Sequence, residues 1–422
     1  MSDDLLVVIE ESVEVLVAEG LVGGGAALGA RWRGLAERAE RVGWVWVAEL
    51  LRGLARDEGL YRGREIGFEG REMGVRVGEL LLRLDGLRGG MGTNVGGMER
   101  GRPWRVGERL VGLGTEVVVG EGVVSFRVYW GVGGEVVVRG WERPLLASDD
   151  GLSWRALASG LVGRWPLAWL GERRLLLPGA RRTGYGELLG VEKGVLMGGG
   201  GWDELEEPVR MESVGRLLAV AGERGPRCFG PRRWGEHMVV LPVAEVREIR
   251  FERREQMLVL VVADGAGGGF QVWQRHMGRN GLARCFEWWR SGGVVWVAGH
   301  WSWVDGGVVV RPTALVVDGV VVQTWLVAEG GDGGEVNEMG GGVGFLSELE
   351  ILWGELLVVG WRGLSGEQLG RWRRWLERGE GLDLSERWFE VWQRLVAGDG
   401  SGLMVGGRMV GWGREELGWG RY

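Results

Sequence analysis

The hydrophobic period of this chain changes twice, and that change limits the folds open to it more than any other feature. Up to about residue 88 apolar residues recur at helical spacing. Val47, Leu50, Leu51 and Leu54 fall at i, i+3, i+4 and i+7, and Met73, Val77, Leu80, Leu81, Leu84 and Leu87 keep the period for four turns. Leu5–Glu19 and Leu28–Arg41 read as helices too. Four antiparallel helices joined by Gly-containing turns predict a small bundle over residues 1–88.

Beyond a Gly-rich linker, Gly89–Arg102, the period drops to two. Phe126, Val128 and Trp130 alternate with Ser125, Arg127 and Tyr129. Val117–Val119, Val123–Trp130 and Glu135–Trp141 predict a three-strand meander, and Arg173–Leu177 a further strand. A short helix is expected near Leu152–Leu157. In a second β-rich stretch, Asp264-Gly265, Asp305-Gly306 and Asp318-Gly319 each separate Val-rich runs. Asp-Gly supplies the positive φ of a tight hairpin turn, so three hairpins are expected. Asn280–Arg290 reads as a helix. After an acidic, Gly-rich linker, Gly330–Gly344, the helical period returns at Leu369, Trp372 and Leu376 and at Trp388, Val391, Trp392 and Leu395. The last residues, 399–422, have no period and read as a loosely ordered tail.

The expected fold class is therefore α+β. An N-terminal helical bundle (1–88) is followed by an antiparallel β domain (103–200) and a second β-rich domain with a Trp cluster (201–329), small barrels being one form for these. A C-terminal helical module (345–398) completes the order. The two helical ends share a pattern. At an offset of 340, Gly20, Gly23, Arg31, Trp32, Arg33, Glu37, Arg38 and Glu40 match Gly360, Gly363, Arg371, Trp372, Arg373, Glu377, Arg378 and Glu380 without a gap. One reading is a duplicated module. The other is two amphipathic helices drawn from a small alphabet, because Gly (84 of 422 residues), Arg, Glu, Val and Trp (26) dominate the composition. The same skew, consistent with a G-rich gene, means that no isolated Gly cluster or Trp counts for much.

Charge and motifs exclude more than they assign. A net charge of −7 is not the footprint of a dedicated nucleic-acid binder. The start, Met1-Ser2-Asp3-Asp4, is not a basic secretory leader, and no apolar run reaches the roughly 18 residues of a membrane helix. A cytoplasmic protein away from membranes is expected. Cys228 and Cys285 are the only cysteines, so neither a disulfide framework nor a four-Cys zinc site is built within the chain. Lys193 is the sole lysine and follows no Gly-rich phosphate loop. There is no nucleophile elbow and no His-Glu-x-x-His, and no cofactor is implied. Gly90, Gly92 and Gly96 follow a helix, not a strand, so they are not a dinucleotide fingerprint. Asp332, Glu335, Asn337 and Glu338 read as a solvated linker, not a calcium loop.

Three histidines, His237, His276 and His300, have no metal-ligand spacing and read as ordinary residues. His300 with Ser302 and Asp305 suggests a base, a nucleophile and an orienting carboxylate, but His300 and Ser302 are neighbours on one strand face, and Asp305 fits a turn. Trp301 and Trp303 share the opposite face. The Trp cluster offers the clearest candidate binding surface: Trp273, Arg275, Trp296, His300, Trp301, Trp303 and Arg311 combine aromatic platforms with guanidinium groups. The alternative is that most of these rings are core.

Several segments resemble a family. They are FEGREMGVRVGELLLRLDGLR ending at Arg88, RLVGLGTEVVV from Arg109, RVYWGVGGEVVVRGWERP from Arg127, RRLLLPGARR from Arg173 and VVWVAGHWSWVDGGVVVRPTALVV from Val294. In that order they resemble a group of bacterial cytoplasmic proteins encoded beside SWIM zinc-finger proteins, MoxR-type AAA ATPases and von Willebrand A proteins. The chain lacks the Cys-x-Cys…Cys-x-His pattern of the SWIM proteins themselves, so the resemblance implies a metal-free companion and assigns no residue a role. The function expected is a non-enzymatic adaptor or scaffold whose partners include a SWIM zinc-finger protein or an AAA ATPase. The rival is a single-stranded nucleic-acid binder using the Trp/Arg surface on a small barrel.

Overall fold

The computed structural model describes residues 2–63, 68–89, 102–103, 108–120, 123–144, 159–162, 164–183, 186–224, 233–252, 257–275, 281–304, 306–325, 345–360 and 363–379. Expectations on Leu152–Leu157, Cys228, His276, Asp305, the segment 330–344, Trp388–Leu395 and the tail lie outside the described residues. In chain order come α1 (Ser2–Arg41), α2 (Val45–Arg62) and α3 (Gly70–Arg88), then strands β1 (Glu108–Gly120), β2 (Val123–Val132) and β3 (Glu135–Pro144). Helix α4 (Leu167–Glu172), β4 (Arg173–Leu177), β5 (Val195–Gly199) and α5 (Val214–Arg224) follow. Next are β6 (Met238–Pro242), β7 (Glu245–Glu252), β8 (Met257–Ala263), β9 (Gly269–Arg275), α6 (Gly281–Ser291), β10 (Val294–Val304), β11 (Gly307–Val317) and β12 (Val320–Gln323). Helices α7 (Phe345–Val359) and α8 (Gly366–Gly379) end the described chain. The α+β expectation holds.

The chain divides into two compact units, one holding the described residues of 1–98 and 342–379 and the other those of 99–223 and 233–325. The first unit is helical. The expected stripes, among them Leu51, Leu54, Met73, Val77, Leu80 and Leu81, converge on one core, which Leu352, Trp353, Trp372 and Trp375 of the C-terminal helices join. Gly20 interrupts the long first helix with a φ of +67°, a conformation that favours glycine, so the two expected segments Leu5–Glu19 and Leu28–Arg41 flank a break. Helix α8 starts with a reciprocal cap. The Gln368 backbone N–H donates to Ser365 Oγ (3.2 Å), and the Ser365 N–H donates to Gln368 Oε1 (2.9 Å).

The second unit holds a five-stranded sheet and a barrel. In the sheet, the order β5-β4-β1-β2-β3 contains the expected antiparallel meander. One sheet face buries Leu110, Val124, Phe126, Val128 and Trp130 with Leu167 and Leu170 of α4. The barrel follows the order β6-β10-β11-β9-β8-β7. Only Val243 and Ala244 separate its two end strands, and they close the ring: the Val243 N–H donates to Val295 O and the Ala244 N–H to Ala263 O. The two strands are one bent strand, shared between both ends of the sheet. Strands β8 and β9, β10 and β11, and β11 and β12 pair as hairpins. Asp318-Gly319 turns as expected, with both φ positive (+49° and +79°), and Gly306 has φ +80°, its neighbour Asp305 lying outside the described residues. Between β8 and β9 the expectation is corrected: the positive φ falls on Gly267 (+86°), not on Asp264-Gly265, and Asp264 instead accepts hydrogen bonds from the Ala266 and Gly268 N–H groups through Oδ1.

Candidate interaction face of the barrel

Strand alternation gives the barrel an inner and an outer side. Leu260, Val272, Val310 and Trp301 are linked in register from β8 to β10, and all are buried. This inner row is capped by α6, where buried Cys285 accepts a hydrogen bond from Gln274 Nε2 at 2.8 Å. Trp303, opposite Val308, lies on the same side as Trp301. Each of these Trp residues therefore faces the interior of the barrel.

The outer side carries a second cross-strand row. Arg250 pairs with Val259, and Val259 with Trp273. Gln271 is level with Val309 on the parallel neighbour, so Trp273 and Arg311, each two residues further on, share that face. Arg311 pairs with His300, and His300 with Met238. Arg275 continues the Gln271–Trp273 face at the strand end.

The five-stranded sheet covers one half of this outer side. Val111, Leu113 and Tyr129 pack with Met238, Val240, Ala298, Ala314 and Val321, and Trp296 borders the cluster. The seam is also tied by a hydrogen bond, Thr313 Oγ1 donating to Leu113 O at 2.6 Å; beside it Trp202, from the turn after β5, packs in the same cluster and donates Nε1–H to Gly112 O at 2.8 Å. Gly114, at φ +101°, lies against the Thr313 backbone, where a Cβ would collide with Thr313 O and C.

His300 and Trp296 lie at this seam. The Arg210 guanidinium stacks on the Trp296 ring at 5.0 Å. The His300 ring meets Tyr129 edge to face, and its Nε2 is buried without a hydrogen-bond partner among the described residues. Burial pushes the imidazole down to about 4, helped by the neighbouring charges of His237, Arg127 and Arg311 against Glu116. Ser302 shares its strand face, as expected, and Asp305, the carboxylate expected to orient His300, lies outside the described residues. No group of three or more His, Cys, Asp or Glu able to hold a metal occurs among the described residues.

The other half of the outer side, on β7, β8 and β9, retains partial exposure at Met257, Val261, Gln271, Trp273 and Arg275. Trp273 Nε1 donates to Gln271 Oε1 at 2.8 Å, which holds the ring along the strand. Arg250 lies between Glu248 (3.6 Å) and Glu252 (3.3 Å) on its own strand. The candidate surface read from the sequence is thus distributed over three places. Trp273, Arg275 and Arg311 lie in the outer row, Trp296 and His300 lie at the seam, and Trp301 and Trp303 face inward. Met257, Val261 and Arg250 were not among the sequence candidates. Met257 and Val261 belong to a continuous apolar run, Met257–Ala263, with no polar alternation to mark a face, and only the strand order shows which side is outward.

A strand that bends to close the ring, a parallel β9–β11 pair and a capping helix between β9 and β10 define an OB-fold barrel. Comparison with known families agrees. Residues 235–341 match the YehQ C-terminal OB-fold domain, and residues 3–104 match the YehQ four-helical bundle domain. No curated protein matches the chain. No helix among the described residues is long and apolar enough to cross a membrane.

Proposed function

We propose that the protein is a non-enzymatic adaptor that docks a partner protein on the outer face of β8 and β9. One observation carries this reading. The face has an aliphatic and aromatic centre of partly exposed Met257, Val261 and Trp273 over buried Val259, and its flanking Arg250 is already matched by Glu248 and Glu252. Trp, Met and Arg around an apolar centre suit a protein interface. A phosphate backbone calls for cationic groups in excess, and the chain carries a net charge of −7. The family resemblance directs the search for partners to SWIM zinc-finger proteins and MoxR-type AAA ATPases.

The OB fold itself favours a second reading, because the equivalent strands of such barrels bind oligonucleotides. A tagged pull-down from the native host, run with and without nuclease, separates the two. Discrete protein partners that survive nuclease, and are lost with Trp273→Ala, support the adaptor. Partners lost with nuclease, and a single-strand affinity that falls steeply with salt, replace it with the nucleic-acid reading.

A further inference from the structure

The match between the two helical ends was ambiguous as sequence, and the folded chain supplies independent observations that decide it. Gly20 and Gly360, equivalent at the offset of 340, both adopt left-handed backbone, at φ +67° and +72°. Each ends one helical segment and precedes the next. They also touch, and the contact is reciprocal. A Cβ on Gly20 would fall on Gly360 N, Val359 C and Val358 O, whereas one on Gly360 would fall on Gly20 N, Glu19 C and Ala18 O. Each glycine thus meets the same three backbone atoms of the other module, at the same three positions. That is the signature of a two-fold, self-complementary contact, in which i touches j as j touches i.

The correspondence extends away from the glycines. Val13, Leu16, Val17, Trp32 and Leu35 are buried, and so are their equivalents Trp353, Leu356, Leu357, Trp372 and Trp375, all in one core. The equivalent residues Arg31 and Arg371 each reach back across the break to a carboxylate on the preceding segment, Glu11 at 3.4 Å and Glu355 at 3.0 Å, although these two carboxylates stand at different positions, about one turn apart, under the offset. A small alphabet explains shared letters, but not a shared left-handed glycine, a shared burial pattern and a reciprocal contact.

We infer that α7–Gly360–α8 is a second copy of the module built by α1, and that the two copies pair through one self-complementary surface whose occupant is another copy of the same module. In this chain the pairing is intramolecular, so the N-terminal bundle is completed by residues from the far end of the sequence.

Two measurements on the full-length chain test this. In the first, residues 345–379 are replaced by the residues at the 340 offset, 5–39, and the product is compared with a control carrying a shuffled amphipathic hairpin of the same length and composition. Equivalent modules give a monomer that unfolds cooperatively within about 10 °C of the parent, and the control loses the transition. An exchange no more stable than the control overturns the equivalence. In the second, Gly20→Ala, Gly360→Ala and the double variant are melted. A shared contact predicts single losses of similar size, each about 5 °C or more, and a double loss well short of their sum. Strictly additive losses, or one silent site, overturn the pairing.

Discussion

Tyr129 and His300 meet edge to face, with ring centroids 4.8 Å apart, across the seam between the five-stranded sheet and the barrel. Tyr129 is fixed from its own side, where its hydroxyl donates to Glu116 Oε2 at 2.9 Å. Burial, reinforced by that carboxylate, holds the phenol well above its usual range. His300 is fixed by its strand, and its imidazole titrates near 4 instead of 6.5. The unfolded chain therefore binds a proton at about pH 6.5 that the folded chain excludes until about pH 4, so this residue costs stability as pH falls through that window. The loss is expected to be about 3 kcal/mol. Histidine resonances followed by NMR should show His300 neutral at pH 5.5, and a midpoint near 6.5 would contradict the placement.

Trp273 and Trp301 are expected to separate binding from folding. Trp301 is 8% exposed and faces the barrel interior, so Trp301→Ala should cost about 3–5 kcal/mol in denaturant unfolding. Trp273 lies on the partly exposed outer row, and Trp273→Ala should cost about 1 kcal/mol. Partner capture by the folded Trp273 variant should fall at least about tenfold, the weight of a central aromatic anchor. Retention of the partner at parental affinity would remove this face from the interface.

The contrast between these two rings shows where sequence reading ends. Alternation along Val294–Val304 separates Trp301 and Trp303 from His300 and Ser302, and the structure keeps that separation. Which side is the interior depends on the pairing of β10 with β6 and β11, long-range information that no local period carries. The Asp-Gly hairpins and the helical stripes were legible because turn chemistry and periodicity are local. The closure at Val243–Ala244 was not, since a two-residue bend between apolar strands has no signature. Gly20 was legible as the end of the Leu5–Glu19 helix and as half of a matched pair; what was not legible is that helix resumes directly after its positive φ.

Glu79 is expected to be the most sensitive polar residue of the helical unit. One of its oxygens accepts hydrogen bonds from Trp46 Nε1 and from Arg83 Nε, both at 2.9 Å, and Arg83 is fully buried. Glu79→Ala removes a carboxylate from a buried guanidinium and should cost about 3–5 kcal/mol. Replacing both partners, Glu79→Leu with Arg83→Met, should restore most of that stability, because two apolar side chains need no charge compensation. Chemical unfolding of the three proteins checks this, and a double variant as weak as Glu79→Ala would contradict it.

Glu172 gives the opposite pH response to His300. Its carboxyl, at the end of α4, is pushed up to about 7 by burial, against the opposing pull of Arg173 and the backbone N–H of Gln323. Between about pH 4.5 and 7 the folded chain holds a proton that the unfolded chain has released. This contribution is fully present below about pH 4.5 and is lost as pH rises through 7. His300 loses stability in the other direction, so the two contributions oppose each other from about pH 6.5 to 4.5. Glu172→Gln removes one slope: relative to the parent its stability should fall on acidification and should exceed the parent's at pH 8 by about 3 kcal/mol. His300→Leu removes the other, leaving a protein that gains stability on acidification over the same range. Thermal melts at half-unit pH steps test both variants together. Parallel profiles for the parent and Glu172→Gln would show that this carboxyl titrates in the folded chain as it does in the unfolded one.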